Sequence, residues 1–208
     1  KTETASRLRG RIERVLDYAI VKGMMPPPNP AAWQGNLSSL LPSKNKIKTK
    51  RNHPALQLKD AQRWWAELKN RDGTGAKALM LLTMTASRSG EIRGMRWEEV
   101  ELFNNEEAKK RGYVGIWTRP AERMKARREH RVPITANMYK LIGNANDKAG
   151  LVFKSANLTT LSDMTLSALM KRMHASDEKG FTDQRSLLPA VPHGLRSTFR
   201  DWVAETGQ

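Results

Sequence analysis

Two short stretches of this chain hold residues of the kind that handle phosphate. In "TASRSGEIRGMRW", Arg88 follows the apolar run "ALMLL" and precedes Gly90 and Glu91. In "VPHGLRSTFRDW", His193 and Arg196 stand three residues apart where a helix begins, sharing a face near an N-terminus whose free N–H groups and dipole favour an anion. A guanidinium keeps its charge in any environment and offers two parallel hydrogen bonds to phosphate oxygens. An imidazole titrates near neutrality and can act as acid, base or hydrogen-bond donor. Taken singly, each stretch has a plainer reading: Arg88 salt-bridged to Glu91 one helical turn on, and His193 with Arg196 as a surface coincidence. Between them, "RMKARR" sets Lys125 among Arg123, Arg127 and Arg128. Like charges around a lysine favour loss of its proton, the direction needed for a lysine acid, while contact of all four with backbone phosphates is the alternative.

The elements that must position these residues follow from the hydrophobic pattern. Leu8, Ile12, Val15, Leu16, Ala19 and Ile20 form one helical stripe that ends at Gly23 and Pro26–Pro28, and that stripe needs a covering partner. "LKDAQRWWAELKN" and "GAKALMLLTMTAS" read as helices, the second apolar nearly all round and therefore central. "GYVGIWT" and "HRVPI" read as the strands of an antiparallel hairpin with a long basic connection, and "LVF" at 151–153 as a further short strand. Helical periodicity returns at Met138, Leu141 and Ile142, again at Leu166, Leu169, Met170 and Met173, and finally at Leu195, Phe199, Trp202 and Val203. The expected class is α+β, mostly α, with a small antiparallel sheet.

Composition limits the partners. Among 208 residues, 37 Lys and Arg against 21 Asp and Glu give a formal charge of +16, so the surface attracts a polyanion, and nucleic acid is the default. There is no cysteine, which removes disulfides and thiolate metal sites. His53, His130, His174 and His193 are scattered and the acidic residues show no ligand-like grouping, so neither a metal nor another cofactor is expected. No apolar run approaches the roughly 20 residues of a membrane span, and the N-terminus lacks a signal-peptide core. The expectation is a cytoplasmic protein, in a bacterial or phage-infected cell, that does not enter a membrane. Residues 42–54, "PSKNKIKTKRNHP" with its leading Pro42, carry Lys44, Lys46, Lys48, Lys50 and Arg51 with Ile47 as the one large apolar residue. This segment reads as a linker, either a solvated loop or a basic tether along a phosphate backbone.

With these residues in view, "TASRSGEIRGMRWEEV" resembles the first arginine motif of the tyrosine recombinase (phage integrase) family, and "HGLRSTFRDWVAE" resembles its H-x-x-R box. Arg88 and Arg196 stand 108 residues apart, in the order and approximate separation of that family, and the basic hairpin carries a lysine where the family has its catalytic one. The resemblance covers residues 55–208. It implies that residues 1–41 are the end of an N-terminal DNA-grasping domain, that 42–54 connect the domains, and that 55–208 are a catalytic domain incomplete at its C-terminus. It also implies double-stranded DNA attachment sites as substrate, a tetramer on DNA, accessory DNA-bending proteins as partners, and integration or excision of prophage or other mobile DNA.

The implied chemistry is attack of a tyrosine hydroxyl on the scissile phosphate, giving a 3′-phosphotyrosyl link and a free 5′-hydroxyl without ATP. Arg88 and Arg196 would clamp the pentavalent phosphate, His193 would act as acid or base or hold the phosphate, Lys125 would protonate the leaving 5′-oxygen, and Glu91 would orient Arg88 or His193. Lys44, Lys46, Lys48, Lys50, Arg51, Arg123, Arg127 and Arg128 would contact DNA. One departure stands out. Tyr18, Tyr113 and Tyr139 all precede the H-x-x-R box, whereas the family's nucleophile follows it, so the attacking tyrosine is expected outside this chain and the 208 residues alone are expected to be inactive. A non-catalytic DNA-binding protein on the same scaffold and a type IB topoisomerase-like enzyme are the alternatives.

Overall fold

In the computed structural model, which describes residues 2–43, 52–124, 126–143 and 149–207, the chain divides into two compact units, Lys1–Asn52 and His53–Gln208. The first is built on α1, Thr2–Val21, which unwinds at Gly23 in the left-handed conformation. Polar groups hold its return segment. Glu13 accepts from the Trp33 backbone N–H at 3.1 Å and from Arg9 at 2.8 Å, and Asn29 donates to the Glu13 carbonyl at 2.8 Å and the Asp17 carboxylate at 2.6 Å. The apolar stripe therefore stays open within this unit, with Leu8 56%, Ile12 45% and Val15 66% exposed. The helical period is as expected, but the segment that folds back lies against the Arg9–Glu13–Asp17 face, where its Asn29 side chain and backbone groups find partners.

The second unit is mostly helical with one small antiparallel sheet. Its centre is α3, Thr74–Thr85, in which Ala76, Ala78, Leu79, Met80, Leu81 and Leu82 are buried. Consecutive buried positions mean burial on every side. Packed around α3 are α2 (Leu58–Lys69), α4 (Ser89–Arg93), α6 (Ala136–Ile142), α7 (Thr165–Ser176) and α8 (Leu195–Thr206). Each large side chain of α3 contributes about 1.5–3 kcal/mol by its burial, so α3 is the support on which the residues at its C-terminal end rest.

The sheet runs in the order β1 (Val100–Leu102), β2 (Gly115–Arg119), β3 (His130–Ile134), antiparallel throughout. Trp117 pairs with Val100 on one side and Val132 on the other, and Arg119 pairs with His130. Gly115, Trp117 and Arg119 point into the protein, as the period of two requires. Three features differ from the sequence reading. Strand β1 adds an edge to the hairpin. Helix α5, Asn105–Arg111, sits between β1 and β2 and is started by the Asn104 side chain, which accepts from the Glu107 N–H at 2.9 Å. Finally, residues 151–153 make no strand: Leu151 forms a single bridge to Arg96 and the Val152 N–H donates to the Met95 carbonyl, which uses up the pairing available there.

Candidate functional site

Arg88 is delivered by a sharp corner. Helix α3 ends at Ala86, which adopts the left-handed conformation at φ 47°, with the Ser87 N–H donating back to the Leu82 carbonyl. Arg88 is then extended and serves as the cap of α4, where its backbone N–H donates to Glu91 Oε2 at 2.9 Å. The Glu91 side chain, one turn into α4, also accepts from the Arg88 guanidinium at 2.7 Å through Oε1. A carboxylate in the first turn satisfies a free N–H and complements the helix dipole. Thus the Arg88–Glu91 pair foreseen as the plainer reading is present, and it is part of the corner's construction.

The second arginine arrives from the far end of the unit. Val191–Gly194 form a turn before α8, and Arg196 lies in its first turn, where its Nη1 donates to the Ala86 carbonyl. Three contacts fix this end of α8 to residues 54–56: the Val191 N–H donates to the Pro54 carbonyl at 3.1 Å, the Thr198 hydroxyl donates to the Leu56 carbonyl at 2.8 Å, and Gly194 lies directly against Pro54. A Cβ on Gly194 would stand 1.8 Å from the Pro54 oxygen, so only glycine permits this approach.

Arg88, Glu91, His193 and Arg196 line one open cavity of about 640 Å³, together with Thr85, Ala86, Arg119, Met124, Ala126, His130, Ser197, Phe199 and Arg200. Four of the sequence candidates are therefore together, drawn from two separate parts of the chain. Lys125 lies outside the described residues, as do Lys44, Lys46, Lys48, Lys50 and Arg51, although the neighbours Met124 and Ala126 both line the cavity. Arg123 is turned toward the protein, ion-paired with Glu99 and 3.4 Å from the Glu91 carbonyl, whereas Arg127 and Arg128 are exposed. Among the cavity residues, Arg119, His130 and Arg200 escaped the sequence reading. Arg119 and His130 face each other across the β2–β3 ladder. His53, near the end of the 42–54 segment, has its ring edge-on to that of His193, 4.3 Å between centroids.

The electrostatics are dominated by positive charge. Burial works to raise the Glu91 carboxyl, but the Arg88 N–H and guanidinium and the charge of Arg119 outweigh it and hold Glu91 below the usual carboxylate range. Partial burial, then the neighbouring His53, Arg196 and Arg88, push His193 below its ordinary value, so its imidazole is neutral at pH 7. His130 is lowered as well, by burial and then by Arg119 and Arg196 against the opposing effect of Glu91. Such a cavity is suited to an anion with several oxygens, bound by two guanidiniums beside a neutral imidazole. Among the described residues no group of three or more His, Asp or Glu side chains could hold a metal ion, and no helix is long and apolar enough to cross a membrane.

Comparison with known proteins gives the same frame. The profile of the phage integrase family matches residues 55–208, and that of the phage integrase central domain matches residues 1–36. Over 210 aligned residues the chain is 27% identical to prophage integrase IntZ of Escherichia coli (strain K12), covering 99% of this chain and 45% of that protein. The fold is that of a lambda integrase dimer bound to a core site, at a TM-score of 0.64 and 16% identity over 99% of this chain and 66% of the other. A lambda integrase tetramer bound to a Holliday junction superposes with a TM-score of 0.60 and 16% identity, over 99% of this chain and 55% of the other. The chain thus spans about half the length of the curated relative it matches.

Proposed function

We propose, given that the chain belongs to the phage integrase family of tyrosine recombinases, that it carries the phosphate-binding part of the catalytic centre of a site-specific DNA recombinase. In this reading the protein integrates or excises prophage or other mobile DNA by cleaving and rejoining strands through a 3′-phosphotyrosyl intermediate. The observation that carries it is the convergence of Arg88, His193 and Arg196, with Glu91 behind Arg88, on one cavity. Residues 1–41 would be the end of a DNA-grasping domain and 42–54 the basic connection to the catalytic domain.

The described cavity residues have roles that their geometry allows. Arg88 and Arg196 hold the nonbridging oxygens of the scissile phosphate, where negative charge gathers in the pentavalent transition state. Their Coulombic and bidentate hydrogen-bonding contributions strengthen as that charge grows, which is what lowers the barrier. His193, neutral at pH 7, accepts a proton from the attacking hydroxyl or holds the phosphate. Glu91 fixes the direction of the Arg88 guanidinium and transfers no proton. Lys125, on the strength of the family resemblance, protonates the leaving 5′-oxygen. Arg127 and Arg128 meet the DNA backbone. The attacking tyrosine comes from outside residues 1–208 in this reading, because Tyr18, Tyr113 and Tyr139 all precede the H-x-x-R box that the family's nucleophile follows. Attachment-site DNA is the substrate, and a tetramer is the working assembly, as suggested by the lambda integrase tetramer on a Holliday junction.

A nicked attachment-site duplex incubated with the full-length protein tests the reading. A covalent protein–DNA adduct is expected on a denaturing gel, and the 208-residue chain alone should form none while still binding duplex DNA at about 10⁻⁴ to 10⁻⁶ M with steep salt dependence. If the full-length protein binds the site and never forms the adduct, the non-catalytic DNA-binding alternative takes its place. If the short chain forms an adduct by itself, Tyr18, Tyr113 or Tyr139 must be the nucleophile and the proposed centre is wrong.

A further inference from the structure

Arg119 occupies a position that the strand pattern reserves for an apolar residue. It is the third inward-facing residue of β2, after Gly115 and Trp117, and is 4% exposed. A guanidinium is rarely buried to that degree unless a partner compensates the cost of removing it from water. Here the compensation comes from Glu91 Oε2, with which Arg119 is ion-paired. The Ser87 hydroxyl lies 3.1 Å from Arg119 Nη1, and the guanidinium carbon sits 4.7 Å from the centre of the Trp117 ring. Nε has no partner among the described residues. The arrangement is built around one carboxylate, because Ser87 is itself held by Thr85 at 2.8 Å and the Trp117 indole donates away to Glu99.

The charge count around Glu91 then takes on meaning. Glu91 accepts from the Arg88 N–H and guanidinium on one side and from Arg119 on the other. A lone Glu91–Arg88 pair would be neutral, and the carboxylate would compete with any phosphate for the guanidinium. With Arg119 present, the trio has a net charge of one positive unit. That unit is presented by Arg88, whose side chain is 41% exposed into the cavity, since the Arg119 side chain is only 5% exposed. A buried charge acts through less screening than a surface one. We infer that Arg119 is a positioning residue of the catalytic centre, which neutralises Glu91 from behind so that Arg88 stays oriented by the carboxylate yet free in charge to bind the scissile phosphate. This rests on the function proposed above.

The alternative is that Arg119 only plugs the core and satisfies Glu91 structurally. Arg119→Met, Glu91→Gln, the double variant and Arg119→Lys in the full-length protein separate the two, with single-turnover cleavage of the nicked substrate and DNA affinity measured side by side. Cleavage by folded Arg119→Met should fall about 10- to 100-fold, the scale for losing an outer partner of a functional group, at unchanged DNA affinity. Adding Glu91→Gln should recover much of that loss, since a neutral amide no longer competes for Arg88, and Arg119→Lys should stay close to the parent. The double variant leaves no unpaired buried charge, so it keeps the comparison open even if Arg119→Met folds poorly. Cleavage by Arg119→Met within about twofold of the parent, or a double variant no better than the single, overturns the inference while Arg88→Ala still slows cleavage by about 10²-fold or more. A parent that never cleaves overturns the functional reading and this inference with it.

Discussion

The two arginines of the cavity are held in opposite ways. Arg88 belongs to a buried ionic corner in which one carboxylate serves its backbone N–H, its guanidinium and Arg119. Among the described residues Arg196 has no carboxylate against it; its Nη1 rests on the Ala86 carbonyl, a neutral dipole. Arg88 is therefore precisely oriented but partly compensated, whereas Arg196 brings a full charge on a helix whose placement depends on Gly194 and Thr198 against residues 54–56. The contrast teaches that one half of a phosphate clamp can be built by electrostatics and the other by backbone fit. It follows that the two halves should fail differently.

The largest effect should come from removing the charges themselves. Arg196→Ala and Arg88→Ala in the full-length protein are each expected to slow single-turnover cleavage by about 10²–10³-fold or more, with binding of duplex DNA little changed because many other basic residues supply affinity. Arg88→Ala also frees Glu91 to pair with Arg119 alone, so Arg196→Ala should be the more damaging of the two. The reverse order, measured on the same nicked substrate, would break the comparison.

Next comes the backbone-fitted half. Gly194→Ala pushes a methyl group into the Pro54 carbonyl, where neither side is a flexible side chain, and should destabilise the protein by about 3 kcal/mol, the upper part of the usual range for overpacking. Thermal or denaturant unfolding would read it. A stability within measurement error of the parent would mean that residues 54–56 do not anchor α8.

The pH dependence of cleavage sharpens the same contrast. His193 is lowered below its ordinary value of about 6.5 by burial and by the facing charges of His53, Arg196 and Arg88, so a reaction that needs the neutral imidazole should keep its rate to lower pH than a free histidine would allow. His53→Gln removes one of the neighbours that hold His193 below its ordinary value. The acid limb of the rate profile should then move to higher pH. A profile that does not move would show that His53 and His193 are electrostatically independent despite their ring contact.

The smallest expected effect concerns the corner itself. Ala86 pays a steric penalty for its left-handed conformation, about 1–2 kcal/mol for a residue with a Cβ, while glycine carries extra unfolded-chain entropy. Ala86→Gly should accordingly be neutral to stabilising by up to about 1 kcal/mol, and cleavage should stay intact because the Ala86 carbonyl still accepts from Arg196. A marked loss of cleavage without loss of stability would show that the methyl group itself contributes to the site.

How much of this was legible beforehand varies with the kind of signal. Helix α3 was visible because six of its residues are apolar enough to need burial on every side. The β2–β3 hairpin was visible from β-rich segments on either side of the basic connection. Helix α5 was not, since it buries no side chain and has no apolar stripe; its signals were the Asn104 cap, the acidic first turn and basic last turn, and Gly112 as its end. The open Leu8–Ile12–Val15 stripe marks the converse limit, because periodicity shows that a face is apolar without saying which segment will cover it.

By its own order of residues the sequence determined which chemistry was available: two arginines, a histidine three residues before one of them, a lysine among cationic neighbours, a strongly basic composition, and motifs of a known family around them. It also determined the local devices, such as the Glu91 carboxylate three residues after Arg88, because those depend on neighbours along one helix. Only the tertiary structure decided that Arg119, 31 residues after Arg88 in the chain, shares that carboxylate, and that His53 meets His193 across 140 positions. The physical reason is that a carboxylate or an imidazole answers to whatever charge lies within a few ångströms, and distances of that kind are set by the packing of α3, α4, α8 and the sheet rather than by separation along the chain.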